Sequence, residues 1–264
     1  MAPNPAAGPG PVPVALTGRR PPGDTGYVHS WDLSTGVDGP GTRFVLFTSG
    51  CPLRCLYCAN PDTQRMRNGH RTTVDEVMTR IAGFRDFVRT AGGGVTLSGG
   101  EPLLQPEFTA HVLRRCKEAG LHTALDTSGF LGARADDALL ADTDLVLLDI
   151  KSFDPDGYRK LTGGELAPTL DFARRLDVLG VPVWIRFVLV PGLTDNEAMI
   201  DRLAAFVAGL RNVDHVDVLP FHKLGAPKYA ALGIPFPLHD TPVPDAALVE
   251  RVRARFQAAG LRSY

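Results

Sequence analysis

Cys51, Cys55 and Cys58 stand in the run Ser-Gly-Cys-Pro-Leu-Arg-Cys-Leu-Tyr-Cys, with three residues and then two between them. Three thiolates from one short loop suit an iron–sulfur cluster with one iron left unligated by protein, because ordinary electron-transfer clusters take four cysteines. An iron with an open position is a place for chemistry. Two other readings fit the same trio. Zinc wants four nitrogen or sulfur ligands, and the nearest fourth candidates are Cys116 and His70. A four-ligand cluster for plain electron transfer lacks its last ligand in the same way. Cys116 shares a helical face with Phe108, Val112, Leu113 and Ala119, which suits a buried packing thiol, and His70 falls in a polar loop.

A second set of polar residues lies further along. Ser98-Gly99-Gly100-Glu101-Pro102 follows a short β-branched run. A glycine pair lets backbone approach a ligand closely, and equally serves an ordinary turn. Asp126–Thr127, Asp149–Lys151 and His222 each fall at the end of an expected strand. Two aspartates at neighbouring strand ends repel unless a cation or a donor lies between them. Lys151 can neutralise a substrate carboxylate as a compact point charge, or remain a solvated strand-end charge. His222 reads equally as a surface histidine. Arg186 shares strand parity with Trp184, Val188 and Val190. A charge in an apolar strand is rarely left unpaired, so Arg186 is expected to point inward to a carboxylate of protein or substrate.

These residues need a scaffold, and the hydrophobic periodicity supplies one. Strands are expected at Arg43–Thr48, Gly94–Ser98, Thr123–Asp126, Asp144–Ile150, Val183–Val190 and Val216–Leu219, with Tyr27–Trp31 as an added edge strand. Helices are expected at Thr73–Thr90, Pro106–Ala119, Ala135–Leu140, Pro155–Leu161, Thr169–Leu179, Asp195–Leu210 (capped by Thr194 or Asp195) and Asp245–Ala259. A proline-rich connection precedes the last helix. Serial βα units imply an α/β fold with a parallel sheet and right-handed crossovers. Such sheets carry their chemistry at the carboxyl ends of the strands, where all five polar groups fall.

The chain has 264 residues, enough for one large domain. A net charge of −1 gives no general affinity for nucleic acid or anionic lipid. Three of the four cysteines crowd into eight residues, unlike a disulfide framework, so a reduced, cytoplasmic protein is expected. No apolar run approaches about 18 residues, so no membrane span is expected. Residues 1–22 hold seven prolines and three glycines and read as a disordered tail ahead of a core domain at 23–264.

CxxxCxxC closing on Tyr57-Cys58, followed by Gly99-Gly100-Glu101-Pro102, resembles the radical S-adenosylmethionine superfamily. The resemblance implies a partial (β/α)6 TIM-type barrel, open on one side, in which Cys51, Cys55 and Cys58 hold a [4Fe–4S] cluster. S-adenosylmethionine would chelate the fourth iron and be cleaved by one electron to methionine and a 5′-deoxyadenosyl radical. Val37-Asp38-Gly39-Pro40-Gly41-Thr42-Arg43-Phe44, Asp126-Thr127-Ser128-Gly129, Leu147-Leu148-Asp149-Ile150-Lys151, Trp184-Ile185-Arg186 and Leu219-Pro220-Phe221-His222 together look like the pyruvate formate-lyase activating enzymes. That likeness implies further roles. The backbone at Tyr57, Cys58 and Ala59 meets adenine, and Gly99, Gly100 and Glu101 hold the methionine end. Asp149, Ile150 and Lys151 contact the ribose and carboxylate, and His222 reaches the adenosine side. Asp126, Thr127, the Leu147 carbonyl and Asp149 would form a monovalent-cation site. Ala59 departs from the histidine usual after the third cysteine.

The implied activity is anaerobic formation of a backbone glycyl radical on pyruvate formate-lyase, with flavodoxin or ferredoxin as electron donor. Alternatives are an activator of another glycyl-radical enzyme (a dehydratase or decarboxylase), a radical enzyme acting on a small molecule, or a non-enzymatic zinc-binding module. Many dehydratase-type activators carry extra cysteine clusters, and here Cys116 is the only thiol left over.

Overall fold

The β-branched runs become strands and the helical repeats become helices in the computed structural model, which describes residues 23–264. The proline-rich tail expected over residues 1–22 lies outside the described residues. β1 (Thr25–Thr35) and β2 (Thr42–Thr48) form an antiparallel pair, and β3 (His70–Thr73) lies antiparallel on the other side of β1. β4 (Gly94–Gly99) then pairs parallel with β2. β5 (His122–Thr127), β6 (Leu145–Asp149), β7 (Val183–Leu189) and β8 (Val213–Pro220) each lie parallel to the strand before. The order β3-β1-β2-β4-β5-β6-β7-β8 does not close on itself. The six parallel strands form the expected partial barrel, open on one side and extended at one flank by two antiparallel strands.

The crossovers are helical: α1 (Val74–Ala82), α2 (Arg85–Thr90), α3 (Pro106–Glu118), α4 (Asp137–Ala141), α5 (Pro155–Thr162), α6 (Ala167–Leu179), α7 (Glu197–Ala208), α8 (Ala226–Ala231) and α9 (Ala246–Ala258). Four local expectations are corrected. The single helix expected over Thr73–Thr90 is cut between α1 and α2, where Gly83 and Phe84 end the first hydrogen-bond run. Asn196 caps α7 through Met199 N, not Thr194 or Asp195. Thr194 Oγ1 instead accepts from Val190 N at 2.7 Å and donates to Val188 O at 2.8 Å, tying off β7. Tyr27–Trp31 belongs to a longer strand, and β3 covers its outer side over Thr25–Val28 while the rest stays at the sheet edge. His70, placed in a loop by sequence, opens β3.

β7 shows how the sheet divides its faces. Val183, Ile185, Phe187 and Leu189 are buried against the helices, while Trp184, Arg186 and Val188 alternate onto the inner face. Strands buried on both faces read as continuous apolar runs, and this one alternates because its inner face is partly open. The main core lies between the sheet and the helices and includes Phe108, Leu113, Leu148, Phe187, Leu203 and Phe256. The inner face carries a small apolar cluster, Ala124, Leu145 and Leu147 with Trp184, and Val188 joins a second around Tyr57, Leu161, Val190, Phe221 and Leu238. Residues 262–264 run parallel along β8: Val216 N donates to Arg262 O at 2.9 Å, and Val218 N to Tyr264 O at 2.9 Å.

Candidate functional site

The cysteine loop leaves the carboxyl end of β2 and is held by its main chain at three places. Gly50 N and Cys51 N donate to Thr63 O and Gln64 O at 2.7 and 3.1 Å. Arg54 N and Leu56 N donate to Thr162 O and Leu161 O, the last carbonyls of α5, at 2.7 and 2.9 Å. Cys58 N closes a turn onto Cys55 O at 3.1 Å. Inside the loop, Arg54 Nη1 donates to the carbonyls of Cys51 and Leu53, both at 2.7 Å. The three thiols are free and half-buried. Burial, with the Glu101 charge behind it, pushes the Cys51 thiol up to about 12. Burial pushes Cys55 up to about 11 against the pull of Lys151. Three thiolates here require a compensating positive group, which a metal centre supplies. Cys116 is fully buried beside the Met78 sulfur and takes no part.

The glycine pair serves the close turn that its sequence allows. A Cβ on Gly99, whose φ is +115°, would strike Thr48 N at 2.3 Å, and one on Gly100 would strike Gly50 O at 2.2 Å. Both glycines let β4 press against the neck of the cysteine loop, where Gly100 N donates to Thr48 O and Glu101 N to Gly50 O at 2.9 and 2.8 Å. The Glu101 side chain is buried and fully engaged. It accepts from Thr127 Oγ1 at 2.7 Å, Leu103 N at 3.2 Å, Ser128 N at 3.0 Å and Ser128 Oγ at 2.6 Å. Burial raises its carboxyl despite those four donors. Glu101 therefore bolts the β4 end to the β5 end, and sequence alone did not reveal Thr127 and Ser128 as its partners.

Beside the thiols stands a charged group. Lys151 Nζ lies 2.8 Å from Asp149 and 5.6 Å from the centre of the Tyr57 ring. Arg186 Nη1 lies 3.1 Å from Asp126, and its Nε 4.0 Å from Asp149. Arg186 thus points inward to carboxylates, as its parity predicted, and is the positive charge between the two aspartates assigned to a cation. Ser98 Oγ donates to Asp126 at 2.7 Å, a partner the sequence reading missed. Burial raises Asp126 to about 6, with Arg186 pulling the other way. Asp149 is half-buried, yet Lys151 and Arg186 outweigh the burial and hold it low. Arg186 Nε and Nη1 and the Tyr57 hydroxyl are buried with no hydrogen-bond partner.

The remaining candidates separate. Leu147 packs into the inner apolar cluster and Ile150 into the main core, so only their main chains can meet a ligand. Ala59 and His222 are exposed at the rim, where His222 Nδ1 accepts from Leu224 N at 3.3 Å. Among the described residues, no three His, Cys, Asp or Glu side chains gather around a point that one ion could occupy.

The description "Radical SAM superfamily" matches residues 45–204. The pyruvate formate-lyase-activating enzyme of Clostridium pasteurianum is 47% identical over 215 residues, 81% of this chain and 90% of that protein. The chain belongs to the radical SAM superfamily. The enzyme of the same name from Staphylococcus epidermidis is 44% identical over 85% of this chain and 92% of its own length. A crystallised domain of a pyruvate formate-lyase-activating enzyme from Bacteroides vulgatus superposes with a TM-score of 0.54 at 28% identity, covering 66% of this chain and 98% of that domain. A radical SAM methyltransferase from Sphaerobacter thermophilus shares the fold, with a TM-score of 0.60 at 19% identity over 88% of this chain and 71% of its own. The radical SAM superfamily uses a [4Fe–4S] cluster and S-adenosylmethionine. The residues present suit both: three half-buried thiols at one loop, and beside them the buried Tyr57 hydroxyl without a hydrogen-bond partner.

Proposed function

We propose that this chain activates a glycyl-radical enzyme, with pyruvate formate-lyase as its protein substrate. The observation that carries the reading is the likeness to pyruvate formate-lyase-activating enzymes across nine-tenths of the Clostridium protein, with the three-cysteine loop at the mouth of the open sheet. Cys51, Cys55 and Cys58 are the cluster ligands in this proposal. When bound, the cluster and S-adenosylmethionine supply the radical that removes a glycine hydrogen, and the protein's part is placement.

The chain's residues have distinct tasks. The backbone of Tyr57, Cys58 and Ala59 faces the adenine, with His222 at the same rim. Gly99 and Gly100 bring the main chain of the β4 end to the methionine side, while Glu101 acts from behind by fixing that turn to Ser128. Asp149 and Lys151, with the Ile150 main chain, face the ribose and carboxylate. Arg186 keeps Asp126 and Asp149 ionised next to each other. A monovalent cation at Asp126, Thr127, the Leu147 carbonyl and Asp149 would share those carboxylates with the guanidinium. The open side of the sheet leaves room for an extended polypeptide loop. The electron donor is a flavodoxin or ferredoxin, and the enzyme works in an anaerobic cytoplasm. No helix among the described residues is long and apolar enough to cross a membrane. Residues 23–264 act as one catalytic domain.

The test is anaerobic incubation of the reduced protein with S-adenosylmethionine and pyruvate formate-lyase, read by the glycyl EPR signal. A glycyl radical on pyruvate formate-lyase is expected. A signal only on a dehydratase or decarboxylase, or deoxyadenosine formation stimulated only by a small metabolite, would overturn the assignment.

A further inference from the structure

The sheet is open, yet its two flanks meet at one side chain above the cysteine loop. From one flank β1 brings His29, whose Nε2 lies 3.5 Å from Asp62. From the other, α8 follows β8 and brings Lys228, whose ammonium lies 3.2 Å from Asp62 and donates to Asn60 Oδ1 at 2.7 Å. Asn60 and Asp62 begin the short helix Pro61–Thr63, directly after the third cysteine. The residues that follow, Thr63 and Gln64, hold the neck of the loop at Gly50 and Cys51. One short segment therefore anchors both ends of the cysteine loop.

The segment that delivers Lys228 is itself well fixed. Phe221 and Leu238 pack with Tyr57, Leu161 and Val190, and Tyr229 packs on Phe236 at 5.0 Å between ring centres. Lys223 Nζ donates to His239 O at 2.5 Å. Gly225, just before α8, lies directly on the loop: a Cβ there would stand 3.0 Å from both Ala59 Cα and Cys58 O. A side chain there would have to push the loop back by a few tenths of an ångström, and Lys228 sits one turn further on to secure the approach.

We propose that Lys228 is a positioning residue that latches the segment after β8 onto Asn60 and Asp62, fixing the main chain of residues 58–60 for the nucleotide. Its last clause rests on the function proposed above; the latch does not. Lys228 is 40% exposed, and exposed ion pairs contribute little to global stability. Its effect is instead local, setting the opening equilibrium of the segment it holds. Lysine suits the task because one small ammonium serves two different acceptors at once.

The test compares Lys228→Met and Lys228→Arg with the parent chain. Amide hydrogen exchange of residues 56–64 is measured on the metal-free protein, together with the urea midpoint. On reconstituted protein, iron per chain and the S-adenosylmethionine dependence of the reduced-cluster EPR spectrum are recorded. In Lys228→Met, exchange over 56–64 is expected to rise about tenfold with little change in the urea midpoint. Iron is retained, and the S-adenosylmethionine concentration for half the spectral change rises about tenfold. Lys228→Arg restores most of both. Parent-like exchange in Lys228→Met overturns the latch. Global loss of stability also overturns it, since Lys228 would then be a general structural residue. Faster exchange with an unchanged nucleotide dependence overturns the positioning role. If the parent protein itself shows no response to S-adenosylmethionine, the functional reading fails, and the exchange result still decides the latch.

Discussion

The two faces of the sheet are built from alternate residues of the same strands, and they are chemically opposite. Against the helices, β7 contributes Val183, Ile185, Phe187 and Leu189, all buried in the main core. On the inner face it contributes Trp184 and Arg186, and β5, β6 and β8 add Asp126, Asp149, His215 and Asp217. The outer face holds the fold by apolar burial, which is non-directional and proportional to area. The inner face spends that stability on confined charges, each needing a specific partner. A substitution on one face should therefore move stability and leave the cofactor, and a substitution on the other should do both in a charge-dependent way.

The largest effect should come from the rim, where neither face is involved. Cys55→Ala should lose the cluster, seen as absent iron and sulfide after anaerobic reconstitution, while the urea midpoint barely moves because the loop is anchored by main-chain bonds. On the outer face, Phe187→Ala should cost about 3–5 kcal/mol in urea unfolding, with iron per folded chain unchanged. On the inner face, Arg186→Met should cost about 3 kcal/mol at neutral pH, because Asp126 would lose its cationic partner and Asp149 would keep only Lys151. That cost should shrink as pH falls toward about 6, because Asp126 without Arg186 takes up its proton at a higher pH than the value of about 6 to which burial raises it beside the guanidinium. A pH-independent cost would show that the guanidinium acts through packing alone.

The smallest effect concerns His215, which is buried yet raised overall because Asp217 and Asp214, 3.3 and 3.1 Å away, outweigh the burial. A raised histidine binds its proton more tightly when folded, so its contribution is complete below its unfolded value of about 6.5. It is lost as pH rises through the folded value. His215→Gln should therefore cost about 1 kcal/mol or less near pH 6, and less at alkaline pH, as read from urea midpoints along a pH series.

Much of this architecture could be read from the chain. The parallel strands announce themselves through β-branched runs, and Arg186 through its parity with Trp184. The three cysteines and the Gly99-Gly100 turn carried the cofactor reading. What was illegible had physical reasons. β3 is four polar residues at an edge, without a buried face to impose a pattern. Asn196 and Thr194 are equally good caps until their hydrogen bonds are seen. The partners of Glu101, Thr127 and Ser128, come from the next strand end and share no local pattern with it. Lys228 lay in a stretch dismissed as a proline-rich connection, and it meets Asn60 across 168 positions of chain. Long-range polar pairs leave no periodic trace in sequence.

An unclosed sheet offers raw strand edges on which another molecule could polymerise. Here one is covered in part by the short, polar His70–Thr73, and the other is overlaid by residues 262–264. Deleting residues 262–264 would expose the amides of Val216 and Val218 to a second strand and invite self-association.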